Sequence, residues 1–231
     1  MSEVLLLKHG GIIPAGHLRT VLAEAEIPVR VAALDEGDPI PPGDWRGVVS
    51  LGGAMSAYEE EAHPWLRDEK RFLAEMVEAD VPVLGICLGA QTLADALGGR
   101  AYLAPGGPEI GMVAARLTPA GGADPAVRGL TAPIPTWHQD TFDLPPGATL
   151  LAESDRYPHA YRLGSALAVQ SHPEATPYIV ARWAASATGA AQLDDHGVDP
   201  DALLRSVRAG AEGTERAARI LFGEWVGELL T

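Results

Sequence analysis

The feature that most constrains this chain is a short apolar run, Pro82-Val83-Leu84-Gly85-Ile86, that ends on a cysteine and passes at once into a helical stretch. That stretch, Leu88 to Leu97, is stopped by Gly98-Gly99. An apolar run without polar alternation is a strand buried on both faces, and strands that alternate with helices build parallel sheets. The same pattern recurs along the chain. Val4–Leu7, Val29–Ala33 and Gly47–Leu51 read as strands, and a helix is predicted from about Gly16 to Ala25. From Pro64 to Ala79, Trp65, Leu66, Phe72, Leu73, Met76 and Val77 recur at helical spacing. The turn-rich stretch Asp38-Pro39-Ile40-Pro41-Pro42-Gly43 interrupts this series.

From about Tyr102 to Ala152, Gly, Pro and Thr separate short apolar runs, which predicts antiparallel strands and loops. Ala166–Gln170 is a further strand. The tail reads as three helical pieces, beginning near Tyr178, Pro200 and Thr214. Ile220, Leu221, Trp225, Val226 and Leu229 mark the buried face of the last piece. No repeat or low-complexity linker divides the chain. A single domain over residues 1–231 is therefore expected, with about 190–231 as a helical C-terminal extension.

Composition narrows the function classes. Apolar residues are 47% of the chain, enough for a sizeable core and too many for disorder. A net charge of −14 argues against nonspecific nucleic-acid binding, which needs Lys and Arg to neutralise phosphates. The single cysteine rules out an internal disulfide and a cysteine-only metal cluster. The seven histidines include no His-x-x-x-His pair, so no metal and no cofactor are expected. His9, His17, His63, His159 and His196 read as surface or loop residues. No apolar stretch is long enough to span a membrane, and Val4–Leu7 is too short for a secretory core. A cytoplasmic setting is expected.

Cys87 sits between a strand and a helix with glycine nearby on each side, in Gly85-Ile86-Cys87-Leu88-Gly89-Ala90-Gln91. A nucleophile elbow has this form: a sharp turn lifts the reactive side chain to the carboxyl edge of the sheet. The helix N-terminus there favours thiolate. A structural buried cysteine would also fit this segment on its own. Gln170-Ser171-His172-Pro173-Glu174 shifts the balance, because it follows another strand at the same edge. A cysteine nucleophile needs a base, and the base needs a third group to fix its tautomer. His172 and Glu174 fill those places. Gly52-Gly53-Ala54-Met55-Ser56 follows the strand predicted beside the elbow, where it is either a plain glycine turn or an oxyanion loop.

With these motifs in this order, residues from about Gly47 to Trp183 resemble the class I glutamine amidotransferases, most closely the amidotransferase domain of GMP synthetase. The resemblance implies that Cys87 attacks glutamine, His172 is the base and Glu174 orients it. It assigns the oxyanion-hole amides to Gly53 and Leu88. Gln91 matches a substrate-contacting glutamine, and Trp137-His138-Gln139-Asp140 matches a segment that holds the α-amino and carboxylate groups. Glu109-Ile110-Gly111 resembles a Glu-Phe-Gly element. Leu88, Ala90 and Trp137 depart from the family's usual residues, and the tail from about Ala190 has no counterpart.

The expected fold is thus α/β: a doubly wound, flavodoxin-like, mostly parallel sheet with helices on both faces and a helical C-terminal addition. Three functions stay open at this point. One is a glutaminase that passes ammonia to a synthetase partner. Another is a free-standing hydrolase or peptidase for other γ-glutamyl compounds. The third is a non-catalytic interaction protein on the same fold. No P-loop pattern occurs in the sequence, so an ATP site is not expected within it.

Overall fold

A computed structural model describes residues 3–230. In chain order it begins with β1 (Val4–His9), α1 (Gly16–Glu24), β2 (Val29–Ala33) and β3 (Gly47–Gly53). Next come α2 (Trp65–Glu78), β4 (Val83–Ile86) and α3 (Leu88–Ala96). The middle holds β5 (Arg100–Leu103), β6 (Glu109–Val113), β7 (Arg116–Leu117), α4 (Pro119–Ala123), β8 (Ile134–His138) and β9 (Asp140–Asp143). It continues through β10 (Thr149–Glu153), β11 (Pro158–Leu163) and β12 (Ala166–Val169). The chain finishes with α5 (Pro177–Ala185), α6 (Ala187–Asp195) and α7 (Pro200–Leu229).

The main sheet runs in the order β2-β1-β3-β4-β12-β11-β10-β7. Its first five strands pair in parallel, and the last three continue it antiparallel. β4 and β12 are buried along their whole length, which is why the sequence shows them as unbroken apolar runs. One face of the sheet packs against α1 and α7, burying Leu18, Leu22, Leu221, Phe222 and Trp225 with Leu6, Val49 and Leu84. The other face packs Leu5, Leu7 and Val83 with Leu73 of α2 and Leu93 of α3. Helices therefore cover both faces of a doubly wound sheet, as the sequence predicts. Two small antiparallel pairs, β5–β9 and β6–β8, lie apart from the main sheet.

The tail differs from expectation. The pieces read from Pro200 and Thr214 are one continuous helix of 30 residues, α7. Gly210 and Gly213 look like breaks in the sequence, but a Cβ at Gly210 would stand 2.5 Å from Met112 Cε. Gly210 thus leaves room for the flexible end of Met112 of β6, within an unbroken helix. α6 is a further helix, capped by the Ser186 side chain accepting from the Gly189 amide. No helix among the described residues is long and apolar enough to cross a membrane.

Candidate active site

Three neighbouring strands, β3, β4 and β12, deliver the predicted residues to one edge of the sheet. Gly53 ends β3, Cys87 follows β4, and His172 and Glu174 lie just past β12. The Cys87 amide extends the ladder by donating to the Val169 carbonyl at 2.8 Å. The chain then turns abruptly. Cys87 has φ 53° and ψ −106°, a conformation that an L side chain adopts at a cost of about 1–3 kcal/mol. Glycine at 89 is required by the close approach of α3 to β3, because a Cβ there would come within 2.0 Å of the Ser50 carbonyl oxygen. Leu88 begins α3, so its amide has no partner within the helix. The Leu88 side chain is buried beside Ala57 and Ala101.

His172 and Glu174 are both buried, and Nδ1 of His172 lies 2.7 Å from Oε1 of Glu174. The His172 amide donates to the Pro135 carbonyl at 2.8 Å, and the His17 amide donates to the Glu174 carbonyl at 2.9 Å. The turn that carries the pair is thus fixed by backbone on two sides. Burial disfavours a charge on His172, but Glu174 and Cys87 outweigh it and raise its pKa well above the ordinary imidazole value. The Trp183 ring leans on the imidazole with centroids 4.7 Å apart.

These residues open onto a cavity of about 180 Å³. Cys87, His172, Gly53, Gln91, Trp137, His138 and Asp140 all line it. Glu174 stands behind His172. Gln91 donates to the Asp140 carbonyl and to Gln170 Oε1, each at 3.1 Å. Tyr58 donates to the Asp140 carboxylate at 3.1 Å. The Cys87 thiol faces the Trp137 carbonyl at 3.8 Å, and the Trp137 indole donates to Gln192 at 2.7 Å. Among the described residues, no Lys or Arg lines the cavity, and Asp140 is the one carboxylate-bearing residue of its wall.

Sequence reasoning missed part of this wall. Ile12, Ile13, Ser186, Thr188, Gly189 and Gln192 also line the cavity. The last four belong to α6 or its cap, outside the motifs quoted above, and no periodicity points to them. Trp183 is both buried and part of the wall.

Two histidines read as surface or loop residues, His159 and His9, are buried. His159 and His138 both reach Glu109 Oε2, at 2.8 and 3.2 Å, and Ser154 donates to its other oxygen at 2.8 Å. Burial works against the Glu109 charge, but these three donors hold its carboxyl well below the ordinary carboxylate range. Glu109, His138 and His159 have the ligand types of a metal site. Hydrogen bonding with Ser154 accounts for the arrangement as it stands, and it ties β6 to β8 at the cavity's edge. His9 is the second correction: it lies beneath the glycine loop, bonded to Leu51 and Glu69.

Comparison with known proteins finds relatives among glutamine amidotransferases. GMP synthase [glutamine-hydrolyzing] of Thermomicrobium roseum is 37% identical over 134 residues, 56% of this chain and 23% of that enzyme. A glutamine amidotransferase-like protein of Salmonella typhimurium, YfeJ, is 34% identical over 129 residues, 53% of this chain and 54% of its own length. The chain therefore spans about a quarter to a half of the curated relatives it matches. A glutamine amidotransferase from Thermotoga maritima superposes with a TM-score of 0.87 at 29% identity, covering 97% of this chain and 98% of that one. The family model for glutamine amidotransferase class-I matches residues 17–179, and this chain belongs to that family.

Proposed function

We propose that the chain hydrolyses the side-chain amide of glutamine through a cysteinyl γ-glutamyl thioester. One observation carries the reading: a strained Cys87 and a buried His172–Glu174 pair reach the same cavity from adjacent strands. In the proposed reaction the Cys87 sulfur attacks the γ-carbonyl carbon and the π electrons move onto oxygen. The amides of Gly53 and Leu88 stabilise that oxyanion. The carbonyl re-forms as the C–N bond breaks, and His172 gives its proton to the departing ammonia. His172 then takes a proton from water, whose oxygen attacks the thioester carbonyl. Glutamate leaves, and the thiolate is restored. Glu174 holds the imidazole with Nδ1–H toward itself, leaving Nε2 for these transfers.

Asp140 is the counter-charge for the substrate's α-ammonium group. Gln91, His138 and Trp137 hold the surrounding backbone and shape the wall. The ammonia acceptor is a synthetase partner in this reading, in keeping with the GMP synthases to which the chain is similar over 56% of its length. No P-loop pattern occurs within the chain.

A second reading, a free-standing γ-glutamyl hydrolase or peptidase, is favoured by one observation. α6 closes the cavity from within the same chain, with Gln192 tied to Trp137. Both readings are separated by assaying the purified chain for ammonia release from glutamine and for cleavage of γ-glutamyl peptides. Faster glutamine turnover supports the glutaminase, and a preference for γ-glutamyl peptides supports the second reading. No turnover of either, with Cys87 unlabelled by a diazo-ketone glutamine analogue, would leave a non-catalytic interaction protein.

A further inference from the structure

The glycine loop does not hang freely from the end of β3. In the pairing of β1 with β3, Leu7 faces Ser50 but His9 faces Gly53, so two steps along β1 match three along β3. The extra residue falls at Leu51–Gly52 and makes a bulge. Bulges re-aim the backbone near sites, and they remove a carbonyl or amide from the ladder. Here the Leu51 carbonyl is taken up by a side chain. His9 Nδ1 lies 3.0 Å from it, and His9 Nε2 lies 3.0 Å from Glu69 Oε1.

The surroundings make this contact rigid. His9 is 2% exposed and Glu69 0%, and Ser50 donates to the same Glu69 oxygen at 2.7 Å. The Trp65 ring stacks on the imidazole, 5.2 Å between centroids and 5° from parallel. A Cβ on Gly53 would meet His9 Cβ at 3.0 Å and Leu88 Cδ2 at 2.3 Å. A Cβ on Gly52 would meet His172 Cε1 at 3.0 Å. The loop is therefore wedged between His9 on one side and the catalytic candidates on the other. Both ring nitrogens of His9 thus have an oxygen partner, a backbone carbonyl on one side and a carboxylate on the other. Burial opposes a charge on the ring, but Glu69 and the backbone carbonyls of Leu51 and Gly52 outweigh it and raise the pKa of His9.

We propose that His9 is a positioning residue: by holding the Leu51 carbonyl across the bulge, it sets the Gly53 N–H toward the substrate's developing oxyanion. The proposal rests on the reading of Gly53 as an oxyanion donor given above. His9 touches no reacting atom. It acts through the backbone of Leu51–Gly53, and Glu69 acts through His9.

The test compares a reaction that needs the oxyanion hole with one that does not. Amide hydrolysis needs it. Alkylation of Cys87 by iodoacetamide is a direct displacement at carbon and builds no oxyanion. Loss of one such donor typically costs about 10²- to 10³-fold in kcat. His9→Ala is expected to lower kcat for glutamine by about 100-fold, near the lower end of that range. Its KM should stay within about twofold, because the oxyanion forms only in the transition state. Its alkylation rate at Cys87 should match the parent. His9→Gln, which keeps one N–H for Leu51, should recover part of the loss. Glu69→Gln removes the charge that His9 Nε2 faces and should also lower kcat.

A His9→Ala protein that turns over within twofold of an active parent overturns the proposal. So does one whose alkylation slows as much as its turnover, since that reports general damage to the site. Should His9→Ala not fold, His9→Gln and Glu69→Gln keep the side-chain volume and carry the same comparison. Turnover within twofold of the parent in both would then overturn it. A parent that releases no ammonia sinks the reading of the site and this proposal together, whereas an active parent with unaffected variants sinks the proposal alone.

Discussion

Glu174 Oε1 lies 2.7 Å from His172 Nδ1 across a single intervening proline, with both side chains buried. A carboxylate so placed can accept from one tautomer only, the one that leaves Nε2 free to face the cavity. It is expected that Glu174→Gln folds normally but loses about 10²- to 10⁴-fold in kcat, because the amide also accommodates the wrong tautomer. His172→Ala should lose at least as much, and Cys87→Ala should abolish turnover and labelling. Single-turnover measurements of thioester formation would check all three. A Glu174→Gln enzyme with parental turnover would remove Glu174 from the assignment.

Asp140 offers a sharper test of substrate orientation. Its side chain lines the cavity, while its backbone carbonyl is held by Gln91 and by His138 Nδ1 at 2.7 Å. Asp140→Asn therefore removes the charge without releasing the strand. A lost hydrogen bond to a charged group is worth about 1.5–3 kcal/mol, or roughly 10- to 150-fold in binding. The expected result is a rise in KM for glutamine of that size with kcat little changed. Glutaramate, which lacks the α-amino group, should be hydrolysed equally by parent and variant. If Asp140→Asn discriminates against glutaramate as strongly as against glutamine, Asp140 does not read the ammonium.

The acid limb of stability should depend on Glu109. Its folded pKa is depressed by donors from His138, His159 and Ser154, which prevail over burial. A depressed carboxylate contributes stability that is present above the unfolded pKa and lost as pH falls toward the folded one. Glu109→Gln is therefore expected to cost about 1–3 kcal/mol at pH 7. That gap should narrow as pH drops below about 4.3, the ordinary glutamate value. Urea midpoints for parent and variant, taken across pH 3 to 7, give the comparison. A gap that stays constant through the acid range would mean that Glu109 acts by packing and not by charge.

What the sequence displays clearly is what local pattern controls. Pro82–Ile86 announces a doubly buried strand, and Cys87 between Gly85 and Gly89 announces a turn that only small neighbours permit. His172-Pro173-Glu174 carries its hydrogen bond within three residues, so its geometry is local too. His9 and His159 are different. Their partners Glu69 and Glu109 lie 60 and 50 positions away, and a lone histidine gives no sign of such a partner. The α6 wall is hidden for the same reason. Ala187–Asp195 becomes part of the cavity only because tertiary packing sets it beside Trp137 and Trp183.

The longest-range expectation concerns α7, which the sequence presents as an appended tail. Trp225 is fully buried, in one cluster with Leu221, Phe222, Val49 and Leu84 of the sheet. The fit is close: a Cβ on Gly47, the first residue of β3, would come 2.5 Å from Leu229 Cδ2 and 3.2 Å from Trp225 Cζ2. Removing an aromatic side chain from such a place costs about 3–5 kcal/mol, a large part of the roughly 5–15 kcal/mol that holds a typical domain together. Trp225→Ala is thus expected to lower the midpoint of the whole chain's unfolding, not to release the helix alone. Far-ultraviolet circular dichroism and the fluorescence of the remaining tryptophans should then report one coincident transition in parent and variant. Ammonia release should disappear along that same curve. Deleting residues 200–231 should leave a chain that no longer unfolds cooperatively, because the sheet face under α7 would be bare. Two separated transitions, or a truncated chain that keeps a sharp midpoint, would make α7 an independent addition and the remainder a domain in its own right.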